Sequence, residues 1–312
     1  MADADNRNVV VNDVGPRDGL QNQARVLEPA RRVQLVQALL TAGVKHVEVG
    51  AFVSPKAVPA MAGADEVLAG LRNVQDATLT VLIPNLRGYE LAAAAGAKSV
   101  CMVLYGSEAM AEANARMSRQ QADDAAAEIL RLARADGVRV TATIAVAFEC
   151  PFDGPVDPVL VCDVAARFIE LGADELCIAD TIGAANPAQV RALTRRLVDA
   201  HGAERLGGHF HDTRAMGLAN VYAALESGIR KFDASIGGLG GCPFAPGASG
   251  NVATEDVVMM LQQMGFATGI DLGRLLHAAE LAKELTGTAP GGRASAWLKR
   301  HLEKTEERRR AQ

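Results

Sequence analysis

The chain has no excess of basic residues, no apolar run of membrane length, no Cys-x-x-Cys pair and no glycine fingerprint after its first apolar stretch. Each absence removes a class of function. With 32 Lys and Arg against 37 Asp and Glu the formal net charge is −5, and the lack of a basic excess argues against a nucleic-acid partner. Without about 20 consecutive apolar residues there is no candidate membrane span. The opening Met1-Ala2-Asp3-Ala4-Asp5-Asn6-Arg7 has neither the apolar region of a secretory signal nor the acid-poor character of a transit peptide, so the expected location is the cytoplasm. Five cysteines (Cys101, Cys150, Cys162, Cys177, Cys242) are an odd number at spacings unlike those of zinc sites, and free thiols are expected. The missing GxGxxG weakens a dinucleotide-binding reading.

What is present is alternation. Strand-like runs at Asn8 to Val14, Lys45 to Val49, Leu79 to Ile83, Ser99 to Leu104, Val138 to Ala147, Glu175 to Ala179, Leu206 to Phe210 and Lys231 to Ile236, the first of them β-branched, alternate with segments of helical spacing. Several helices carry start and stop signals, such as Asn186-Pro187 before one and Gly137 after another. Eight βα units in 312 residues predict a TIM (β/α)8 barrel rather than an open sheet. The expected division is a polar lead at 1–7, a barrel at 8–290 and a charged helical tail at 291–312, which contains the only tryptophan, Trp297.

In such a barrel, chemistry gathers where strands end. The first run stops at Gly15-Pro16-Arg17-Asp18-Gly19, a polar turn. In Gly208-His209-Phe210-His211-Asp212 the two histidines are two apart, so a strand presents both imidazoles to one side, a spacing better explained by a metal pair than by two core histidines. The first and last strands of a closed barrel are neighbours, which would bring Asp18 and Asn251 to the same rim. Two nitrogens and two oxygens without a thiolate favour a six-coordinate Mg²⁺ or Mn²⁺ over structural zinc. Arg17 would set a permanent positive charge beside the ion, suited to a developing oxyanion. The glycine-rich stretch Gly237 to Asp256 reads as a loop able to bring its backbone and Cys242 close to a ligand, with Asn251 as N-cap of the following helix.

Taken together, Val14-Gly15-Pro16-Arg17-Asp18-Gly19-Leu20-Gln21-Asn22, Phe52-Val53-Ser54-Pro55-Lys56, Asp180-Thr181-Ile182-Gly183, His209-Phe210-His211-Asp212-Thr213 and the Gly238 to Asp256 loop resemble the hydroxymethylglutaryl-CoA lyases. The resemblance runs from about Asn8 to Leu285. It implies a metal-dependent lyase of leucine catabolism, a homodimer, that splits a 3-hydroxy-3-methylglutaryl thioester into acetyl-CoA and acetoacetate. It further implies metal ligation by Asp18, His209, His211 and Asn251. Arg17 would face the enolate oxygen, and Cys242 would take part in proton transfer. Glu48, Asp180 and Glu255 match acidic positions near the family's site, with ligand orientation and helix capping equally open to them. Gln21, Asn114, Thr181 and Arg214 would contact the acyl-CoA substrate.

Four positions depart from the family pattern: Ala51 for Ser, Ala57 for Trp, and Arg214-Ala215 for Tyr-Gly. They bear on which acyl group is cleaved. One reading gives Arg214 an additional carboxylate or phosphate, which requires it to point toward the metal. The alternatives are cleavage of a longer or differently branched 3-hydroxyglutaryl thioester, a condensing enzyme or aldolase of the same superfamily, and a silent barrel kept as a metabolite-binding scaffold.

Overall fold

Eight parallel strands close into a barrel in the computed structural model, which describes residues 7–241, 250–289 and 291–310, the last six by backbone alone. The strands are β1 (Val10–Asp13), β2 (His46–Ala51), β3 (Thr78–Ile83), β4 (Ser99–Tyr105), β5 (Arg139–Ala145), β8 (Glu175–Asp180), β9 (Leu206–Phe210) and β10 (Lys231–Ala234). Between β5 and β8 lies a short hairpin of two-residue strands, β6 (Glu149–Cys150) with β7 (Gly154–Pro155). Around the barrel the order is β1-β10-β9-β8-β5-β4-β3-β2, so the first and last strands pair, with Val10 to Asp13 facing Lys231 to Ala234 in register.

The helices are α1 (Pro29–Thr41), α2 (Ala64–Gly70), α3 (Leu86–Ala94), α4 (Glu108–Ala115), α5 (Arg119–Asp136), α6 (Pro158–Glu170), α7 (Pro187–His201), α8 (Gly217–Glu226), α9 (Thr254–Gln263), α10 (Leu272–Thr286) and α11 (Ser295–Arg310). Their starts follow local chemistry. Asn85 caps α3 by accepting from the Gly88 amide, and Ser118 with Gln121 and Asn186 with Gln189 form reciprocal capping boxes on α5 and α7. Inward-facing apolar side chains of the helices, such as Leu35 and Leu39 of α1 and Phe168 of α6, are fully buried against the strands. Truncating one of these leucines to alanine costs about 2–5 kcal/mol.

Among the residues of α11 whose side chains are described, Leu298 is the one buried; the helix ties to α10 through Lys299 and Glu280 at 2.6 Å, while Trp297 stays half exposed and stacks on His301. Two elements differ from the sequence expectation. α4 lies where no separate helix was expected, begun by the Ser107 hydroxyl accepting from Met110 N and ended by Arg116 in the left-handed region. Asn251 is not a helix cap: the residue before α9 is Ala253, and Asn251 instead bridges to His211.

Candidate metal centre

The turn after β1 fixes the site. Gly15–Gly19 winds as one wide helical turn, with the Gly19 amide donating to Val14 O, five residues back. It lies tight against the segment following β10: a Cβ on Gly15 would stand 2.8 Å from both Asp13 Oδ1 and Ile236 Cγ2. That close approach carries Asp18 to Asn251, whose Nδ2 donates to Asp18 Oδ2 at 2.7 Å. Gly240 makes room for the same amide, since a Cβ there would meet Asn251 Nδ2 at 2.7 Å.

The end of β9 supplies the nitrogens. His209 and His211 are both buried, their Nε2 atoms 3.2 Å apart, and His211 Nε2 stands 4.0 Å from Asp18 Oδ2. One ligand atom from each of Asp18, His209 and His211 falls within 4.8 Å of the others, a spacing able to hold a metal ion. Asn251 Oδ1 is buried beside them with no hydrogen-bond partner among the described residues, an orphaned oxygen that a cation would satisfy. A carboxylate, two imidazoles and an amide oxygen fit a Mg²⁺- or Mn²⁺-type ion that keeps positions for water or substrate. The structure thus brings together the four expected ligands, drawn from the turn after β1, the end of β9 and the segment before α9.

Arg17 bridges two acids, donating from one terminal nitrogen to Asp18 Oδ1 at 2.6 Å and from the other to Glu48 Oε2 at 2.7 Å. Burial works against the charge on each partner. Even so, the Arg17 guanidinium and both imidazoles hold the Asp18 carboxyl at about 2, and the two acids raise Arg17 further. Burial pushes the Glu48 carboxyl up, more than Arg17 draws it down. For His209, burial disfavours the proton but Asp233 outweighs it, and the ring titrates above its ordinary value.

These groups open onto a cavity of about 560 Å³. Of the expected substrate contacts, Gln21, Asn114 and Thr181 line it, as do Arg17, Glu48 and the departing residue Ala57. Asn114 donates to the Tyr105 hydroxyl at 2.9 Å, and Thr181 Oγ1 accepts from Val146 N at 2.8 Å. Asn251 and three other expected residues do not line it. Asp180 spends both carboxylate oxygens on the amides of Ala184 and Ala185, shaping the loop after β8. Glu255 accepts from Gly237 N, Gly292 N and Ser295 Oγ, stitching the start of α9 to its neighbours. Arg214 has a side chain that is 53% exposed, 3.5 Å from Glu149 and 3.2 Å from Ala184 O, and it is absent from the cavity wall. Cys242 lies outside the described residues.

Sequence reasoning missed Asp233, whose Oδ2 is 3.0 Å from His209 Nδ1 and which lines the cavity. The available signal was period-two alternation in Lys231-Phe232-Asp233, which turns Asp233 to the same side as Lys231.

Comparison with known proteins covers nearly the whole chain. A family model described as HMGL-like matches residues 8–282. The chain is 43% identical over 290 residues to hydroxymethylglutaryl-CoA lyase of Pseudomonas mevalonii, covering 93% of this chain and 96% of that one. It is 45% identical over 282 residues to (R)-citramalyl-CoA lyase of Chloroflexus aurantiacus, covering 87% and 89%. Among solved structures, an HMG-CoA lyase from A. baumannii in complex with coenzyme A and 3-methylmalate superposes with a TM-score of 0.90 at 38% identity, covering 95% and 96%.

Proposed function

Because this chain belongs to the HMGL-like family and is an enzyme of the HMG-CoA lyase kind, we propose that it cleaves 3-hydroxy-3-methylglutaryl-CoA to acetyl-CoA and acetoacetate. The observation that carries this reading is the meeting of Asp18, His209 and His211 at one cavity wall beside Arg17. Asp18, His209, His211 and Asn251 would hold a divalent cation, Mg²⁺ or Mn²⁺, which when bound would supply Lewis acidity to lower the pKa of the substrate's C3 hydroxyl.

The reaction needs one proton moved. The hydroxyl proton leaves, C3–O becomes the carbonyl of acetoacetate, and the C2–C3 electron pair passes to C2 and the thioester carbonyl. A proton returned to C2 completes the acetyl-CoA methyl group. Arg17 is assigned to the thioester oxygen, where negative charge grows as the bond breaks; its two carboxylate partners hold the guanidinium still, so little reorganisation is needed. Cys242 is assigned to the returning proton. Glu48 keeps Arg17 in place, and Gln21, Asn114 and Thr181 contact the acyl-CoA. The coenzyme A bound by the A. baumannii relative supports a CoA thioester as the substrate. We further assign the protein to the cytoplasm as a homodimer; among the described residues no helix is long and apolar enough to cross a membrane.

A second reading, cleavage of a longer or differently substituted 3-hydroxy thioester, draws support from the citramalyl-CoA lyase relative and from the small Ala57 at the cavity wall. The test is a coupled acetyl-CoA assay on 3-hydroxy-3-methylglutaryl-CoA and on analogues varied at C3, with Mg²⁺, Mn²⁺ or chelator. Cation-dependent release of acetyl-CoA and acetoacetate is expected. Cleavage of an analogue alone would transfer the assignment to the second reading, and no cleavage of any thioester with either cation would overturn both.

A further inference from the structure

Three adjacent barrel strands carry a polar line that ends at one of the proposed cation ligands. Asn12 of β1 and Asp233 of β10 are register partners, and Asp233 is in turn the register partner of His209 on β9. The side chains follow the same order. Asn12 Nδ2 donates to Asp233 Oδ1 at 2.7 Å, and Asp233 Oδ2 faces His209 Nδ1 at 3.0 Å. The Cys177 thiol of β8 approaches that second oxygen at 3.7 Å. The far nitrogen of His209, Nε2, looks into the ligand cluster.

A neutral imidazole has one N–H and one lone pair, whereas an ionised carboxylate can only accept. With Asp233 at 3.0 Å from Nδ1, the proton belongs on Nδ1 and the lone pair on Nε2, the form a cation requires. The opposite tautomer would set two lone pairs against each other at that distance and aim an N–H at His211 Nε2. Asn12 has a separate part: by gripping Oδ1 it prevents the carboxylate from turning, which leaves Oδ2 for the histidine.

We propose that Asn12 and Asp233 form a positioning relay that locks the tautomer and ring orientation of His209 and thereby sets the affinity for the divalent cation. The relay rests on the cation site proposed above. It is tested by Mn²⁺ titration, read by electron paramagnetic resonance of free Mn²⁺, on the wild type, Asp233→Asn, Asn12→Ala and His209→Ala. ¹⁵N NMR of His209 in the cation-free wild type and Asp233→Asn proteins at alkaline pH accompanies it.

The wild-type ring is expected to carry its proton on Nδ1. Asp233→Asn should lose that preference and bind Mn²⁺ about tenfold or more weakly. Asn12→Ala should weaken binding in the same direction by a smaller factor. A wild-type ring protonated on Nε2, or a folded Asp233→Asn protein with unchanged Mn²⁺ affinity, would overturn the relay. Should Asp233→Asn fail to fold, the wild-type tautomer and unchanged binding in Asn12→Ala serve the same purpose. His209→Ala separates the two claims: unchanged Mn²⁺ binding there removes the cation site itself, whereas loss there with wild-type binding in Asp233→Asn removes the relay alone.

Discussion

Asp13 ends β1 in complete burial, its Oδ1 accepting from Gly15 N at 2.8 Å and its Oδ2 from Thr254 Oγ1 at 2.6 Å. Burial pushes the carboxyl up to about 7 despite those donors, against an ordinary 3.8. The folded chain therefore keeps a proton that the unfolded chain releases. Stability from this group is fully present below about pH 4 and is lost as the pH rises through about 7. A shift of about three units corresponds to about 4 kcal/mol in all, of which about 2 kcal/mol falls between about pH 5.5 and pH 8.5. Asp13→Asn mimics the protonated acid: its oxygen can still accept from Gly15 N, and its amide can meet Thr254. Urea unfolding of both proteins at the two pH values, at equal ionic strength and cation concentration, should show the variant gaining about 2 kcal/mol on the wild type from the lower pH to the higher. Groups common to both cancel in that difference. Parallel pH profiles would refute the reasoning.

Three further outcomes are expected. Arg17→Gln should remain folded while kcat falls by about a hundredfold or more, the scale of losing an oxyanion partner, and turnover near the wild-type rate would remove Arg17 from that role. Ala215 occupies the left-handed region at φ 57°, where a Cβ costs about 1–2 kcal/mol; Ala215→Gly should raise thermal stability, by less than that because glycine loses more freedom on folding. Gly15→Ala would force a methyl to within 2.8 Å of Asp13 Oδ1 and Ile236 Cγ2. It should destabilise the fold by about 1–3 kcal/mol, measurable by denaturant titration, and weaken Mn²⁺ binding through displacement of the turn carrying Asp18.

Much of the barrel was legible because its signals are local. β-branched runs, Asn and Ser caps and glycine stops act within a few residues, and β9 begins and ends at the residues read from the sequence. α4 escaped notice because eight residues hold barely two turns of periodicity, and its start depends on one hydroxyl, that of Ser107. The His-x-His pair was readable since its members are two residues apart at the end of one strand. Asn251 was placed in the site but given the wrong local job: a cap preference of about 1 kcal/mol yields to a bridge with His211 and a bond to Asp18. Asp180 and Glu255 look like reactive acids in one dimension, yet the folded chain surrounds them with backbone amides. Asp233 has no motif around it, and its meaning comes from strand register, which no single segment encodes.

Barrel closure between β1 and β10 has a temporal consequence. Asp18 and Asn251 are 233 residues apart along the polypeptide, so a growing chain emerging from the ribosome lacks the complete set of proposed ligands until most of its length has been synthesised. Prematurely terminated products lacking β10 and the helices after it would leave β1 and β9 with exposed, unpaired edges, open to association with other chains. The proposed cation site would thus be completed late in biosynthesis, after most of the barrel has been made.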